Sequence, residues 1–321
     1  MSEPVLGRFA PTPSGRMHLG NVFACLLAWL SARSVGGGFL LRMEDLDTQR
    51  TSAELGEIIR EDLTWLGLTW DLETPAQSTR TAVYDGYFEK LAALGLLYPC
   101  YCTRSLLHSP NAPHLSDGTY VYPGTCRNLT EAERAAFHRL PAWRVRVPDR
   151  VWSFTDRLQG PYAQNLATDC GDFVVRRADG VYVYQLAVTV DDGLAGVTEV
   201  VRGSDLLSSA PRQMYLQSLF DFSTPSYAHV PMLLSPDGRR LSKRDGDLDM
   251  GALRRRMKPE VLLGALGYTA GLLEKPEAVS ATELARDFSW DRVRKDDISM
   301  DSAVFTPCAA GRYCNLQKNR L

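Results

Sequence analysis

Apolar and polar positions follow two rhythms along this chain. Residues 4–10, Pro-Val-Leu-Gly-Arg-Phe-Ala, read as a short strand, and a Pro/Ser/Gly-rich loop from Pro11 to Arg16 closes it. From Asn21 to Val35 apolar residues recur at helical spacing, at Phe23, Leu26, Leu27, Leu30 and Ala32. Gly36-Gly37-Gly38 stops that pattern, as glycine does past a helix C-terminus. Phe39-Leu40-Leu41-Arg42-Met43 is a second strand, so the chain opens with the strand–loop–helix–strand unit of a parallel α/β sheet. Helical patterns follow over 52–67 and from Tyr84 to Leu96. Residues 97–130 lose periodicity, and Trp143 to Val147 is a charged, strand-like segment. Sheet patterning returns at Phe173–Arg177, and Asp179-Gly180 predicts a tight hairpin into Val181–Tyr184. A helix over Gln185–Asp192, a strand over Thr198–Arg202 and a helix over Ser208–Phe220 are expected next. A helical stretch over 252–273 is anchored by Leu253, Val261, Leu262, Leu263, Leu266 and Leu272. Beyond residue 300 the pattern is weak and partial disorder is expected; no internal repeat is found.

This pattern divides the chain into a split sheet domain over 1–96 and 172–235, an insertion over 97–171, and a C-terminal unit over 236–321. A length of 321 residues suits two or three packed units, because domains cluster near ~100–150 residues. Composition is that of an ordinary globular protein, and no apolar run approaches the ~20 residues of a membrane helix. The N-terminus has no basic segment leading into an apolar stretch, so a cytoplasmic protein is expected. The formal net charge of −2 lacks the basic excess common in nucleic-acid binders, although a local stripe can serve. Arg254-Arg255-Arg256-Met257-Lys258 is the best such stripe, and by itself reads as a solvated helix face. Seven cysteines without a secretion signal argue against a disulfide framework. Cys25 and Cys170 suit core positions.

Two separated motifs carry phosphate chemistry. Ligands of open α/β sheets sit beyond the C-terminal strand ends, where a helix N-terminus favours phosphate. His18-Leu19-Gly20-Asn21 occupies such a place after the first strand. His18 can donate a ring N–H to a phosphate oxygen, and Gly20 lets adenine or ribose approach the backbone. Arg240-Leu241-Ser242-Lys243-Arg244 lies on a loop flanked by Gly238 and Gly246, expected to be mobile. There Lys243 can supply charge as pyrophosphate leaves, an effect worth about 3–4 kcal/mol per donor. His18, Gly20 and Lys243 are thus the nucleotide candidates, with His18 and Lys243 catalytic. The chain has no P-loop signature.

These motifs resemble the HIGH and KMSKS signatures of class I aminoacyl-tRNA synthetases, with Asn21 in the fourth HIGH position, and the resemblance extends the ATP site to Asn21 and Ser242. The segments Arg8–Gly15, Leu41–Arg50, Tyr184–Asp192 and Glu199–Leu206 resemble the glutamyl-tRNA synthetase family more specifically. The resemblance covers roughly residues 5–270 and implies a Rossmann-type parallel sheet, activation of L-glutamate by ATP with Mg2+, and an amino-acid site. By the resemblance that site comprises Arg8, Phe9, Ala10, Pro11, Thr12, Glu44, Tyr184 and Arg202. Elementary chemistry agrees: Arg8 and Arg202, at strand ends, match a carboxylate with paired N–H donors. Glu44 can hold the ammonium, and Tyr184 adds a hydroxyl.

Cys100-x-Cys102 and Cys126 suit one structural zinc, which takes four tetrahedral Cys or His ligands. General zinc chemistry seeks the fourth ligand at His108 or His114. A short branch of the glutamyl family carries Cys-x-Cys followed by Tyr-x-x-x-Cys. Similarity to that branch points to Tyr122, with His114 as the alternative. The branch also lacks an anticodon-binding region, and only 77 residues follow Arg244 here. The resemblance therefore implies transfer of glutamate from glutamyl-adenylate to queuosine in the anticodon stem-loop of tRNA(Asp). Val188 stands where full-length glutamyl enzymes usually carry Asn. A monomer without membrane contact is expected. Three other readings stay open: a truncated glutamyl-tRNA synthetase charging a tRNA 3′ end, a different adenylyltransferase, and a non-catalytic RNA-binding paralogue. The Arg8, Glu44 and Arg202 set argues against the second, and intact His18, Gly20 and Lys243 against the third.

Overall fold

The computed structural model describes residues 4–103, 121–239, 241 and 248–300. Strands β1 (Leu6–Phe9), β2 (Gly38–Arg42) and β3 (Leu72–Thr74) pair in parallel in that order. The connection from β1 to β2 is helix α1 (Leu19–Ser34), and α2 (Ala53–Leu66) leads to β3. Strands so connected must run parallel, because the crossover helix returns the chain to the same sheet edge. Helix α3 (Thr81–Ala93) then leads out of the sheet.

The next strands are antiparallel. β4 (Leu97–Cys100), β5 (Ala142–Val145) and, after the hairpin β6 (Val151–Asp156)–β7 (Gly160–Asn165), β8 (Phe173–Arg176) follow. β4, β5 and β8 form one sheet in that order. Helix α4 (Tyr184–Ala195) returns the chain to parallel geometry at β9 (Glu199–Gly203), followed by α5 (Ala210–Phe220) and β10 (Ser226–Val230). Thr198 N donates to Leu6 O at 3.0 Å, and Leu6 N to Thr198 Oγ1 at 2.8 Å. The two parallel groups thereby meet along β1 and β9, with β1 central. Leu233–Leu234 (β11) pairs with Ile298–Ser299 (β12), tying the segment before residue 241 to the end of the described chain.

The helical region at the C-terminal side departs from the expected continuous stretch over 252–273. It is two helices, α6 (Met250–Arg256) and α7 (Pro259–Ala270). Pro259 has no N–H and starts α7, so α6 cannot run through it. α7 stops at left-handed Gly271, and a further short helix, α8 (Ala281–Arg286), follows beyond the elements the sequence predicts. The basic run is likewise divided. Arg254 donates to fully buried Asp62 at 2.7 Å, while Arg255, Arg256 and Lys258 are exposed and Met257 is buried. The hairpin expected after β8 has its turn, with Gly180 at φ +88°, but its second arm is a single bridge, Arg176 to Tyr182. The chain enters α4 at Tyr184 instead.

α1 is buried almost all round, because the sheet covers one side and α8 packs against it from another, with α7 lying against α2 and α8. Leu26, Leu30, Leu263, Leu266 and Leu284 share one core. A second core joins Tyr84 and Leu91 of α3 to Val145 and Trp152, and to Leu186, Tyr215 and Phe220. Cys25 lies in the first core, fully buried, and burial pushes its thiol up. Cys170 is half-buried. Among the described residues no helix is long and apolar enough to cross a membrane.

Candidate active site

A cavity of about 650 Å3 opens beyond the C-terminal ends of β1 and β9. Arg8 to Thr12, Glu44, Tyr184 and Arg202 line it together with His18, Gly20 and Asn21. Residues as far as 194 positions apart along the chain thus face one space, as the strand-end geometry of the sheet requires.

His18 is the N-cap of α1, in extended backbone conformation. Its Nδ1 accepts from Gly20 N at 3.1 Å, so a neutral ring carries its proton on Nε2. Asn21 Oδ1 accepts from the His18 backbone N at 3.3 Å and closes a capping box. This gives Asn21, the departure from the HIGH pattern, a definite role at the helix start. A Cβ on Gly20 would lie 3.1 Å from His18 Cε1, so any side chain there crowds the ring. Leu241 lines the cavity; Ser242 and Lys243 lie outside the described residues.

Two arginines on the amino-acid side are held by buried carboxylates. Arg42 is fully buried and donates to Asp192 Oδ1 at 2.6 Å and to Glu44 Oε1 at 3.1 Å. Arg8 donates to Val201 O at 2.9 Å, with its Nε 3.6 Å from Asp192 Oδ2. Burial pushes Asp192 up, but Arg42 and Arg8 outweigh it and hold its carboxyl below the ordinary value. For Glu44 burial wins over Arg42, so its carboxyl is raised, and an added cation there would stabilise its ionised form. Adjacent Asp191 accepts from Gln77, Arg80 and Tyr84. Sequence reasoning assigned Arg42, Asp191 and Asp192 no role. The available signal was two adjacent aspartates inside an apolar helix, which must be paired if buried.

Arg202 differs. It donates to Gln213 Oε1 at 2.8 Å, His229 Nε2 at 3.0 Å, Tyr184 OH at 3.3 Å and Leu206 O at 3.3 Å. Every one of these acceptors is neutral, and no carboxylate pairs with Arg202 among the described residues. Its charge is available to an anion entering the cavity.

Some way off, the sulfurs of Cys100, Cys102 and Cys126 lie within 4.8 Å of one another. The Tyr122 hydroxyl is 3.4 Å from Cys100 Sγ and 3.9 Å from Cys102 Sγ, and accepts from Cys126 N at 3.0 Å. His108 and His114 lie outside the described residues. Arg144 donates to Cys100 Sγ at 3.2 Å, and its guanidinium lies 3.6 Å from the Tyr122 ring centre. Burial raises the Cys100 thiol, but Tyr122 and Arg144 together bring it below its usual value. Cys102 is pushed up to about 12 by burial and its neighbouring thiols. Three sulfurs and a phenol oxygen converging on one point form a donor set that fits a tetrahedral metal.

Residues 4–306 match the family of tRNA synthetases class I (E and Q), catalytic domain. The chain is 44% identical to the glutamyl-Q tRNA(Asp) synthetase of Symbiobacterium thermophilum, over 95% of this chain and 98% of that protein. It is 48% identical to the one from Nitratidesulfovibrio vulgaris, over 84% and 87%. Among solved structures, a glutamate tRNA ligase from Elizabethkingia meningosepticum in complex with its amino acid superposes with a TM-score of 0.79 at 28% identity. That match covers 94% of this chain and 68% of the ligase. The chain belongs to the class I tRNA synthetases of the E and Q type and, within them, to the family of the glutamyl-Q tRNA(Asp) synthetases.

Proposed function

We propose that this protein activates L-glutamate with ATP and transfers it to queuosine in the anticodon loop of tRNA(Asp). The observation that carries the glutamate half is Arg202, a buried arginine bonded only to neutral acceptors at the wall of the cavity. It takes the side-chain carboxylate, Tyr184 assists, Glu44 receives the ammonium, and Arg8 with the backbone from Phe9 to Thr12 completes the amino-acid site. His18 donates from Nε2 to the α-phosphate region, and Gly20 and Asn21 shape the nucleotide side. Ser242 and Lys243, with Mg2+, serve the departing pyrophosphate. The acceptor assignment is supported by identities of 43–48% to glutamyl-Q tRNA(Asp) synthetases, against 28% to the glutamate tRNA ligase.

Labelled-glutamate transfer tests this reading. Label is expected on tRNA(Asp) that carries queuosine and absent from tRNA(Asp) that lacks it. Transfer to queuosine-free tRNA(Glu) would keep the glutamate chemistry and overturn the acceptor.

In the same reading Cys100, Cys102, Tyr122 and Cys126 hold one structural zinc, with Tyr122 favoured over His114 because its oxygen already lies among the sulfurs. The ion supplies a cross-link that fastens the stretch around residue 126 to the end of β4. The proposed domain division keeps the insertion over 97–171 as the acceptor-contacting unit. Metal analysis of the purified protein is expected to find about one zinc per chain and to lose it in Cys126→Ser. A metal-free wild type would end the zinc assignment.

A further inference from the structure

We infer that Asp156 and His229 form a positioning relay that fixes the Arg202 guanidinium for the glutamate side-chain carboxylate; this rests on the glutamate reading above. Both side chains are completely buried. His229 stands on β10 directly opposite Arg202 on β9. Arg202 Nε can only donate, and it lies 3.0 Å from His229 Nε2. Nε2 therefore presents a lone pair. The ring proton sits on Nδ1, 2.6 Å from Asp156 Oδ2, which accepts it. One neutral tautomer satisfies both bonds. A protonated ring would set a donor against the Arg202 donor. Burial of the imidazole lowers its proton affinity despite Asp156, in agreement with a neutral ring.

Asp156 is itself fixed. Its Oδ1 accepts from Leu158 N and Gln159 N at 3.0 Å each, and from His229 N at 3.1 Å. These bonds place the carboxylate in the turn of the β6–β7 hairpin, which belongs to the insertion rather than to the parallel sheet. The result is an arginine oriented by a carboxylate it does not touch. A direct ion pair would orient Arg202 equally well but would compete with an anionic substrate. The imidazole between them transmits direction without setting a carboxylate at ion-pair distance from the guanidinium; buried Asp192 acts on Arg202 only from further off. An arginine has five N–H donors. The contacts to His229, Gln213, Tyr184 and Leu206 engage all but one, on Nη2. That donor, on a guanidinium whose Nη1 meets the Tyr184 hydroxyl, defines a direction for the incoming carboxylate.

Asp156→Asn tests the relay with little change of shape. The asparagine oxygen keeps the bonds from Leu158 and Gln159, but its amide donates to His229 Nδ1. The ring proton must then move to Nε2, against Arg202. In glutamate-dependent ATP–pyrophosphate exchange, KM for glutamate is expected to rise about tenfold or more, with KM for ATP within about twofold. Nitrogen-15 NMR of the histidine rings should show His229 protonated on Nδ1 in the wild type and on Nε2 in the variant. His229→Gln, which can return an acceptor to Arg202, should keep a lower glutamate KM than His229→Phe. Equal rises in both KM values, an unchanged glutamate KM, or a wild-type ring protonated on Nε2 would overturn the relay. If Asp156→Asn does not fold, the wild-type tautomer and the His229 pair decide. If the wild type shows no glutamate-dependent exchange, the glutamate reading fails, and the ring tautomer still decides whether the relay exists.

Discussion

Arg202→Ala is expected to remove glutamate-dependent ATP–pyrophosphate exchange almost completely, with kcat/KM for glutamate falling about a thousandfold. Truncating one member of a buried, hydrogen-bonded charge pair costs about 2–5 kcal/mol, and each 1.4 kcal/mol is a factor of ten. The high end applies here because the site has no nearby substitute. Arg8 is engaged by Val201 O and lies beside Asp192, and Arg42 is bound to Asp192 and Glu44. Neither can swing to a new anion without exposing a buried carboxylate. Arg202→Lys is expected to recover little, since three ammonium donors cannot satisfy His229, Gln213, Tyr184, Leu206 and a substrate carboxylate at once. Circular dichroism distinguishes loss of activity from loss of fold. Unchanged exchange in a folded Arg202→Ala protein would take Arg202 out of the site.

Gly171→Ala is expected to destabilise the protein by about 4 kcal/mol or more, and to loosen the proposed metal site as well. Gly171 has φ +71°, and a Cβ there would stand 2.3 Å from Tyr122 O and 2.9 Å from Tyr122 N. The left-handed conformation alone costs an L residue about 1–2 kcal/mol. The remainder comes from backbone against backbone, which no rotamer can relieve, and losses of this size are rare for single substitutions. Tyr122 N also donates to Cys170 O at 3.2 Å, so pushing these segments apart breaks a second contact. Gly124→Ala is the control. It has φ +77° but its Cβ would meet nothing closer than 3.8 Å. It should lose only the conformational part, about 1–2 kcal/mol. Urea melts of the two variants separate strain from contact; equal losses would show that the approach of Gly171 to Tyr122 is not the cause.

The two halves of the site differ in how far the sequence exposes them. The stretch from β1 to α1 is legible because strand, loop, cap and apolar period follow each other within thirty residues. Cys100, Cys102 and Cys126 are legible by residue type and spacing. Arg144 is not, because it reaches Cys100 from a different strand, 44 residues away. The pairs that orient the amino-acid side, Arg42 with Asp192 and His229 with Asp156, span 150 and 73 residues. No periodicity connects such positions; only the closed fold does. The break between α6 and α7 is hidden for the opposite reason. Apolar residues on both sides of Pro259 keep helical spacing, so the period masks a residue that ends helices.

The meeting of β1 with β9 has a consequence for biosynthesis. The bond from Leu6 N to Thr198 Oγ1 spans 192 residues, and that from Arg8 to Val201 O spans 193. At translation rates of about 5–20 residues per second, the outer edge of β1 waits roughly 10–40 s for its partner. During that interval it is an uncovered strand edge, the kind that recruits other chains. Closure of the sheet is therefore a slow event, governed by contacts more than 190 residues apart in the chain. Substitutions along this seam should reduce the yield of soluble protein in rapidly expressing cells well before they reduce the stability of the molecules that do mature.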